Sequence, residues 1–245
     1  WKREPADPMS TADVALAAEH EDDSFRFFFE PLLLGKFSDR ILTRLESRGE
    51  LPDIREGDYR LISQPIDYLG LNVYSRVIVD ASKREPERRD GEAPTGGNFL
   101  DYGDQFYPRS VYDAIKLVET EYGYTGPIMI TENGCQTPRT GVDAELVDAA
   151  RIDYLEAFLT WTAKAIGEGS RVVGYYVWSF IDTFEWTAAH SISYGLVHVD
   201  QQTLDRAAKG GLHQGVVAEV EDAADYSIED LIAPRAPHPA SRAPL

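Results

Sequence analysis

The apolar positions of this chain fall into short runs set between polar, glycine- and proline-rich stretches. Three runs are brief and almost wholly apolar: residues 66–74 (IDYLGLNVY), 127–131 (PIMIT) and 172–180 (VVGYYVWSF). Their length and their aromatic and β-branched content predict strands buried on both faces, the pattern of a parallel sheet. The segments between them have helical spacing. Residues 109–122 predict one helix. A second is predicted over 144–166, capped by Asp143 and ended by Gly167, with Ile152, Leu155, Leu159, Thr162 and Ile166 as its inward face.

Upstream, residues 10–21 predict a helix opened by a capping box of Ser10 and Asp13. A dense apolar cluster from Phe25 to Leu34 is expected to be broken by Pro31 and Gly35. Residues 39–48 predict a short helix with Gly49 as its C′ residue. Residues 80–104, rich in Gly, Pro, Arg and Glu, predict a long loop. The order strand, loop-helix, strand, helix, strand predicts an α/β fold whose helices pack outside a parallel sheet. Past about residue 205 the pattern weakens. Gly210, Gly211 and Gly215 each cost a helix up to ~1 kcal/mol, and the chain ends APRAPHPASRAPL. Two regions are expected: residues 1–205, and a divergent, partly disordered tail over 206–245.

Composition narrows the choice of chemistry. With 24 basic and 42 acidic side chains among 245 residues, the net charge is −18. That repels phosphate and argues against a nucleic-acid partner. No stretch approaches the ~20 apolar residues of a membrane span. The single cysteine, Cys135, forms no internal disulfide, which predicts a reducing, cytoplasmic setting. No Gly-x-Gly-x-x-Gly or Gly-Lys-Ser/Thr loop follows any predicted strand, and no cofactor is expected.

The strand ends are where parallel α/β folds place function. Here they read Asn72-Val73-Tyr74, Thr131-Glu132-Asn133-Gly134, and Trp178 through Asp182 and Glu185 to Trp186. Taken singly, each residue has an ordinary structural reading: a capping carboxylate, a core indole, a phenol that satisfies backbone groups. Together they put carboxylates, an amide, a phenol and two indoles on one rim. Flat apolar rings suit sugar faces, charged acceptors suit sugar hydroxyls, and a glutamate at a strand end suits a nucleophile.

In that arrangement the chain resembles glycoside hydrolase family 1, the β-glucosidase family. IDYLGLNVYS is similar to the family's sixth-strand motif, ITENG to its nucleophile motif, and GYYVWSFIDTFEW with YGLVHVD to its eighth-strand region. Weaker matches are FFFEPLLLGKF, YPRSVYDAI, and Asp148, Arg151, Tyr154 and Leu155 in the long helix. The resemblance implies a retaining β-glycosidase with Glu132 as nucleophile and Tyr74 as the donor that holds it. Asn72, Trp178, Glu185, Trp186 and Tyr194 would line the sugar subsite, with Glu185 gripping hydroxyls and Trp178 as the platform. Glucose is the expected sugar, with galactose and fucose as alternatives.

Several positions depart from the family pattern. Thr183 stands where asparagine is usual, Ala189-His190 where Gly-Tyr is usual, and Ser193-Tyr194-Gly195 where Arg-Phe-Gly is usual. Loss of the arginine charge at Ser193 is expected to weaken anchoring of its loop. Phe158 stands where histidine is common. The chain also contains no Asn-Glu-Pro, the motif that carries the family's acid/base glutamate. The matched motifs are those of strands six to eight, so the resemblance implies a partial (β/α)8 barrel, its C-terminal portion. Three strands do not close a barrel of eight. The expected partners are a β-glucoside or oligosaccharide substrate and an N-terminal half or a second copy. Alone, the chain is expected to turn over little. Two other readings compete: an inactive carbohydrate-binding remnant, and one half of a split enzyme.

Overall fold

The computed structural model describes residues 2–83, 105–138, 149–185, 192–196, 205, 206 and 209. The chain divides into two units, Trp1–His198 and Val199–Leu245. The first unit is described below. Apart from Arg206 and Lys209, the tail expected over 206–245 lies outside the described residues, as does the expected loop beyond Lys83 up to Gln105.

In the N-terminal part, strand β1 (Lys2–Pro5) precedes helix α1 (Thr11–Glu21). Ser10 caps α1 by accepting from the Asp13 amide at 3.3 Å. The second half of the expected capping box does not form. The buried Asp13 carboxylate instead accepts from the amides of Asp7 and Ala81 at 3.0 and 2.9 Å, and so ties the helix start to distant chain. The phenylalanine-rich cluster continues the helix instead of breaking at Pro31. A π-helical turn (Asp22–Arg26), the short α2 (Phe27–Phe29) and a second π turn (Glu30–Leu34) follow without interruption. Pro31 falls at the passage from α2 into that last π turn, and the helix runs on past it. The stop comes at Gly35, whose φ of +67° a residue with a side chain adopts poorly. Helix α3 (Asp39–Arg48) then starts at the Ser38 cap and ends at Gly49, φ +69°, where it was expected to. The short α4 (Asp58–Ile62) leads to the sheet.

The sheet is built by β2 (Leu69–Asn72), β4 (Ile128–Asn133) and β6 (Val172–Val177), all parallel, in the order β2-β4-β6. A separate parallel pair joins β1 to β3 (Arg76–Val79), and β5 (Thr137–Pro138) pairs antiparallel with β7 (Ile192–Ser193). Helix α5 (Arg109–Thr120) connects β2 towards β4, and α6 (Ala149–Gly167) connects β4 towards β6. The core lies between these helices and the sheet. Leu69, Leu71, Ile128 and Ile130 meet Val111, Ile115 and Val118 of α5 and Tyr154, Phe158 and Ala165 of α6.

Two expectations change here. The strands are not buried on both faces. Leu69 and Leu71 are buried, whereas Tyr68, Asn72, Val173 and Tyr176 are exposed, because among the described residues helices cover one side only. The inward face of α6 is only partly the one read off its apolar spacing. Thr162 is buried and Leu155 packs against the core, but Ile152, Leu159 and Ile166 are each at least 47% exposed, and Arg151, Tyr154, Phe158 and Ala165 complete the buried stripe. The buried stripe mixes polar and apolar side chains, so hydrophobicity alone misplaces it. Asp143 and the expected start of this helix lie outside the described residues. No helix among the described residues is long and apolar enough to cross a membrane.

One core position is imperfect. Tyr122 is buried edge-to-face against Phe29, and its hydroxyl has no hydrogen-bond partner among the described residues. Burial pushes its phenol up to about 12. Tyr122→Phe is expected to raise stability by ~1 kcal/mol at pH 7, because it removes an unpaid desolvation. The unaltered chain also loses stability as pH rises from about 10 towards 12, since only the unfolded phenol ionises there; the variant lacks that loss. Urea unfolding at pH 7 and 11 checks both points, and a less stable variant at pH 7 refutes the assignment.

Candidate active site

The C-terminal ends of the three parallel strands carry Asn72, Tyr74, Glu132 and Trp178 of the predicted residues. Past Ile130, strand β4 carries one residue more than the facing stretch of each neighbour: Leu71 pairs with Ile130 and Asn72 with Glu132, and on the other side Ile130 pairs with Tyr175 and Asn133 with Val177. Such a bulge re-aims the side chains that follow it. Here it precedes Glu132. Tyr74, just past β2, donates its hydroxyl to Glu132 Oε2 at 2.8 Å. The Tyr74 phenol is held far above its ordinary range, first by burial, then by this hydrogen bond and the Glu132 charge; Tyr194 and Glu185 act in the same direction. Tyr74 is therefore a hydrogen-bond donor at any ordinary pH. Asn72 is exposed beside Glu132, and its Oδ1 accepts from the Thr131 hydroxyl at 2.7 Å.

Past β6, Trp178 lines an open cavity of about 470 Å³ with Tyr68, Met129, Thr131, Tyr176 and Phe180. Its amide donates to the Asn133 carbonyl at 2.8 Å. A side chain at Gly134 would collide with the Trp178 carbonyl, its Cβ falling 1.9 Å from that oxygen. The glycine after the glutamate–asparagine pair is thus required by the approach of these two strand ends. Glu185 is partly buried, and Thr183 donates to its Oε1 at 2.7 Å. Trp186 and His190 lie outside the described residues.

Tyr194 belongs to a segment that the sequence reading expected to be weakly anchored. It is held from two sides. Buried Arg151 donates to the carbonyls of Ser193, Tyr194 and Gly195. Asp182 Oδ1 accepts from the Ser193 hydroxyl at 2.6 Å and the Gly195 amide at 2.8 Å. The Ser179 amide also reaches the Tyr194 carbonyl at 3.2 Å. The small hydroxyl at Ser193 thus makes an anchor of its own.

Sequence reasoning missed the group beneath the site. Asn133 is fully buried; its amide donates to the Val73 carbonyl at 2.7 Å and the Tyr154 hydroxyl at 3.0 Å, and its oxygen accepts from the Tyr175 hydroxyl. Tyr154 in turn donates to the Tyr74 carbonyl at 3.2 Å. The signal for Asn133 was present: if Glu132 faces the rim, its neighbour in a strand faces the opposite side. Phe158 is fully buried and stacks on Tyr154, so it serves the core, and Cys135 is buried beside the same cluster. No group of three or more potential metal ligands occurs among the described residues.

The model of the family described as Glycosyl hydrolase family 1 matches residues 1–213. The chain belongs to this family. Beta-glucosidase A of Acetivibrio thermocellus is 33% identical over 190 residues, covering 75% of this chain and 42% of that protein. A 6-phospho-beta-galactosidase of Streptococcus equi subsp. zooepidemicus is 32% identical over 232 residues, covering 84% and 49%. Among solved structures, the Thermotoga maritima family 1 glycoside hydrolase complexed with a cyclophellitol analogue matches with a TM-score of 0.66 and 31% identity, over 82% of this chain and 44% of that one. The chain thus spans less than half the length of these relatives, and the family 1 structure it matches is a TIM-barrel enzyme with a parallel sheet.

Proposed function

We propose that this chain carries the nucleophile side of a retaining β-glycosidase site for neutral β-glucosides. The observation that carries the reading is the 2.8 Å hydrogen bond from Tyr74 to Glu132, made between the ends of adjacent parallel strands with Glu185 and Trp178 on the next. Tyr74 occupies Oε2 and leaves Oε1 to attack the anomeric carbon. The C1–O bond to the leaving group breaks as the Glu132–C1 bond forms, giving a glycosyl-enzyme that water later hydrolyses. The leaving oxygen needs a proton, and retention needs a second carboxyl group about 5–5.5 Å from the first. That group comes from polypeptide outside these 245 residues, because Asn-Glu-Pro is absent from them.

The exposed apolar side chains Tyr68, Val173, Tyr176, Phe180 and Phe184 support a partial barrel whose open face awaits the remaining strands. Asn72, Glu185, Trp186 and Tyr194 serve as sugar contacts and Trp178 as the platform. Two relatives differ in the charge of the sugar in their names. Glu132 and Glu185 both repel a phosphate, which favours the neutral substrate of the glucosidases over a 6-phospho sugar. A single buried cysteine is in keeping with a cytoplasmic setting.

The test is hydrolysis of an aryl β-glucoside by the purified chain, alone and mixed with the N-terminal half of a family 1 β-glucosidase. The expected result is no turnover alone and turnover on mixing. Robust hydrolysis by the chain alone overturns the divided site. Sugar binding without turnover on mixing overturns the glycosidase reading in favour of a binding remnant.

A further inference from the structure

Thr183, at a position where the family pattern usually has asparagine, donates its hydroxyl to Glu185 Oε1 at 2.7 Å. The direction is fixed by chemistry, since an ionised carboxylate only accepts. Residues two apart in an extended stretch put their side chains on one side, which is how this pair meets without a turn. Both residues are partly buried, so the contact is not a passing one at the open surface.

An ionised carboxylate offers two oxygens and grips two hydroxyls at once, each through a charge-assisted hydrogen bond. We infer that Thr183 is a specificity-determining residue: its bond takes one lone-pair site of Glu185 Oε1, so that Oε2 makes the stronger bond to a sugar hydroxyl and Oε1 the weaker one. The inference rests on the reading of Glu185 as a sugar-gripping carboxylate. With C1 held at Glu132, the 3-, 4- and 6-hydroxyls lie on the far part of the ring. One of them is read strongly by Glu185 in this chain. Removing the threonine hydroxyl frees that site on Oε1, and a second of them is then read strongly as well.

The test titrates the full chain with methyl β-D-glucoside and its 3-, 4- and 6-deoxy analogues, followed by saturation-transfer NMR. For the unaltered chain, one deoxy sugar is expected to bind about tenfold more weakly than the parent, the loss of one hydrogen bond to a charged acceptor. Thr183→Val keeps the shape without the hydroxyl, and a second deoxy sugar is expected to lose about five- to tenfold. Thr183→Ser keeps the hydroxyl and restores the original profile. Should the valine variant lose its fold by circular dichroism, Thr183→Ala carries the same expectation. An unchanged deoxy profile in Thr183→Val, with Glu185→Gln still losing the sugar, overturns the inference and leaves the sugar site standing. A uniform loss across all four sugars also overturns it. No saturable binding by the unaltered chain, or binding that Glu185→Gln leaves untouched, overturns the reading of Glu185 and the inference with it.

Discussion

Glu132→Gln is expected to cut hydrolysis by the completed site roughly 10⁴- to 10⁶-fold, the range seen when one member of a catalytic unit is removed. The substitution is nearly isosteric. The glutamine oxygen still accepts from Tyr74, so the 2.8 Å contact and the local packing survive while the nucleophile is lost. Far-UV circular dichroism should be unchanged. A mechanism-based fluoroglycoside should label the peptide containing Glu132 in the unaltered protein and nothing in the variant. Tyr74→Phe is expected to cost a smaller factor, roughly ten- to a hundredfold, the worth of one hydrogen bond to a charged group. Its penalty should be constant from pH 5 to 9. Burial and the Glu132 charge hold the phenol protonated throughout that range, so Tyr74 adds no limb to the pH profile. Unchanged turnover in Glu132→Gln, or label on another carboxylate, removes Glu132 from the mechanism.

The rim was legible in the sequence for a physical reason. Its residues follow brief apolar runs, and a parallel sheet gathers the ends of such runs on one edge. Glu132, Tyr74, Asn72, Trp178 and Glu185 could thus be named together before their geometry was known. The supports were not legible, because they come from elements whose spacing says nothing of contact. Arg151 and Asp182 lie more than ten residues from the 193–195 segment they hold. The α6 face was legible only in part, for a related reason. Thr162 was read correctly, but burial of Arg151 there goes with its hydrogen bonds to the 193–195 segment, to which apolar spacing is blind. Thr183 was visible as a departure from a pattern, but its consequence needed the 2.7 Å contact to Glu185.

Asn133→Leu is expected to destabilise the chain by about 3 kcal/mol or more, since each buried group left without a partner costs roughly 1–3 kcal/mol. Leucine keeps the branched outline but leaves the Val73 carbonyl without its donor, and takes a partner from the hydroxyls of Tyr154 and Tyr175. These costs do not add simply, because Tyr154 keeps its bond to the Tyr74 carbonyl. Tyr175→Phe alone removes one bond and is expected to cost about 1 kcal/mol. In the double variant the tyrosine change should cost less than it does alone, because the Asn133 acceptor is already gone, and that coupling identifies the network as shared. Urea unfolding of the full chain at pH 7 measures all four corners of the cycle. A loss under 1 kcal/mol in Asn133→Leu, or strict additivity with Tyr175→Phe, would show that the network beneath Glu132 is not what holds it. A large loss with clear coupling would mean that the alternation of one strand serves two ends: Glu132 faces the rim, and the residue after it fixes, through Tyr154, the backbone of the tyrosine that holds Glu132.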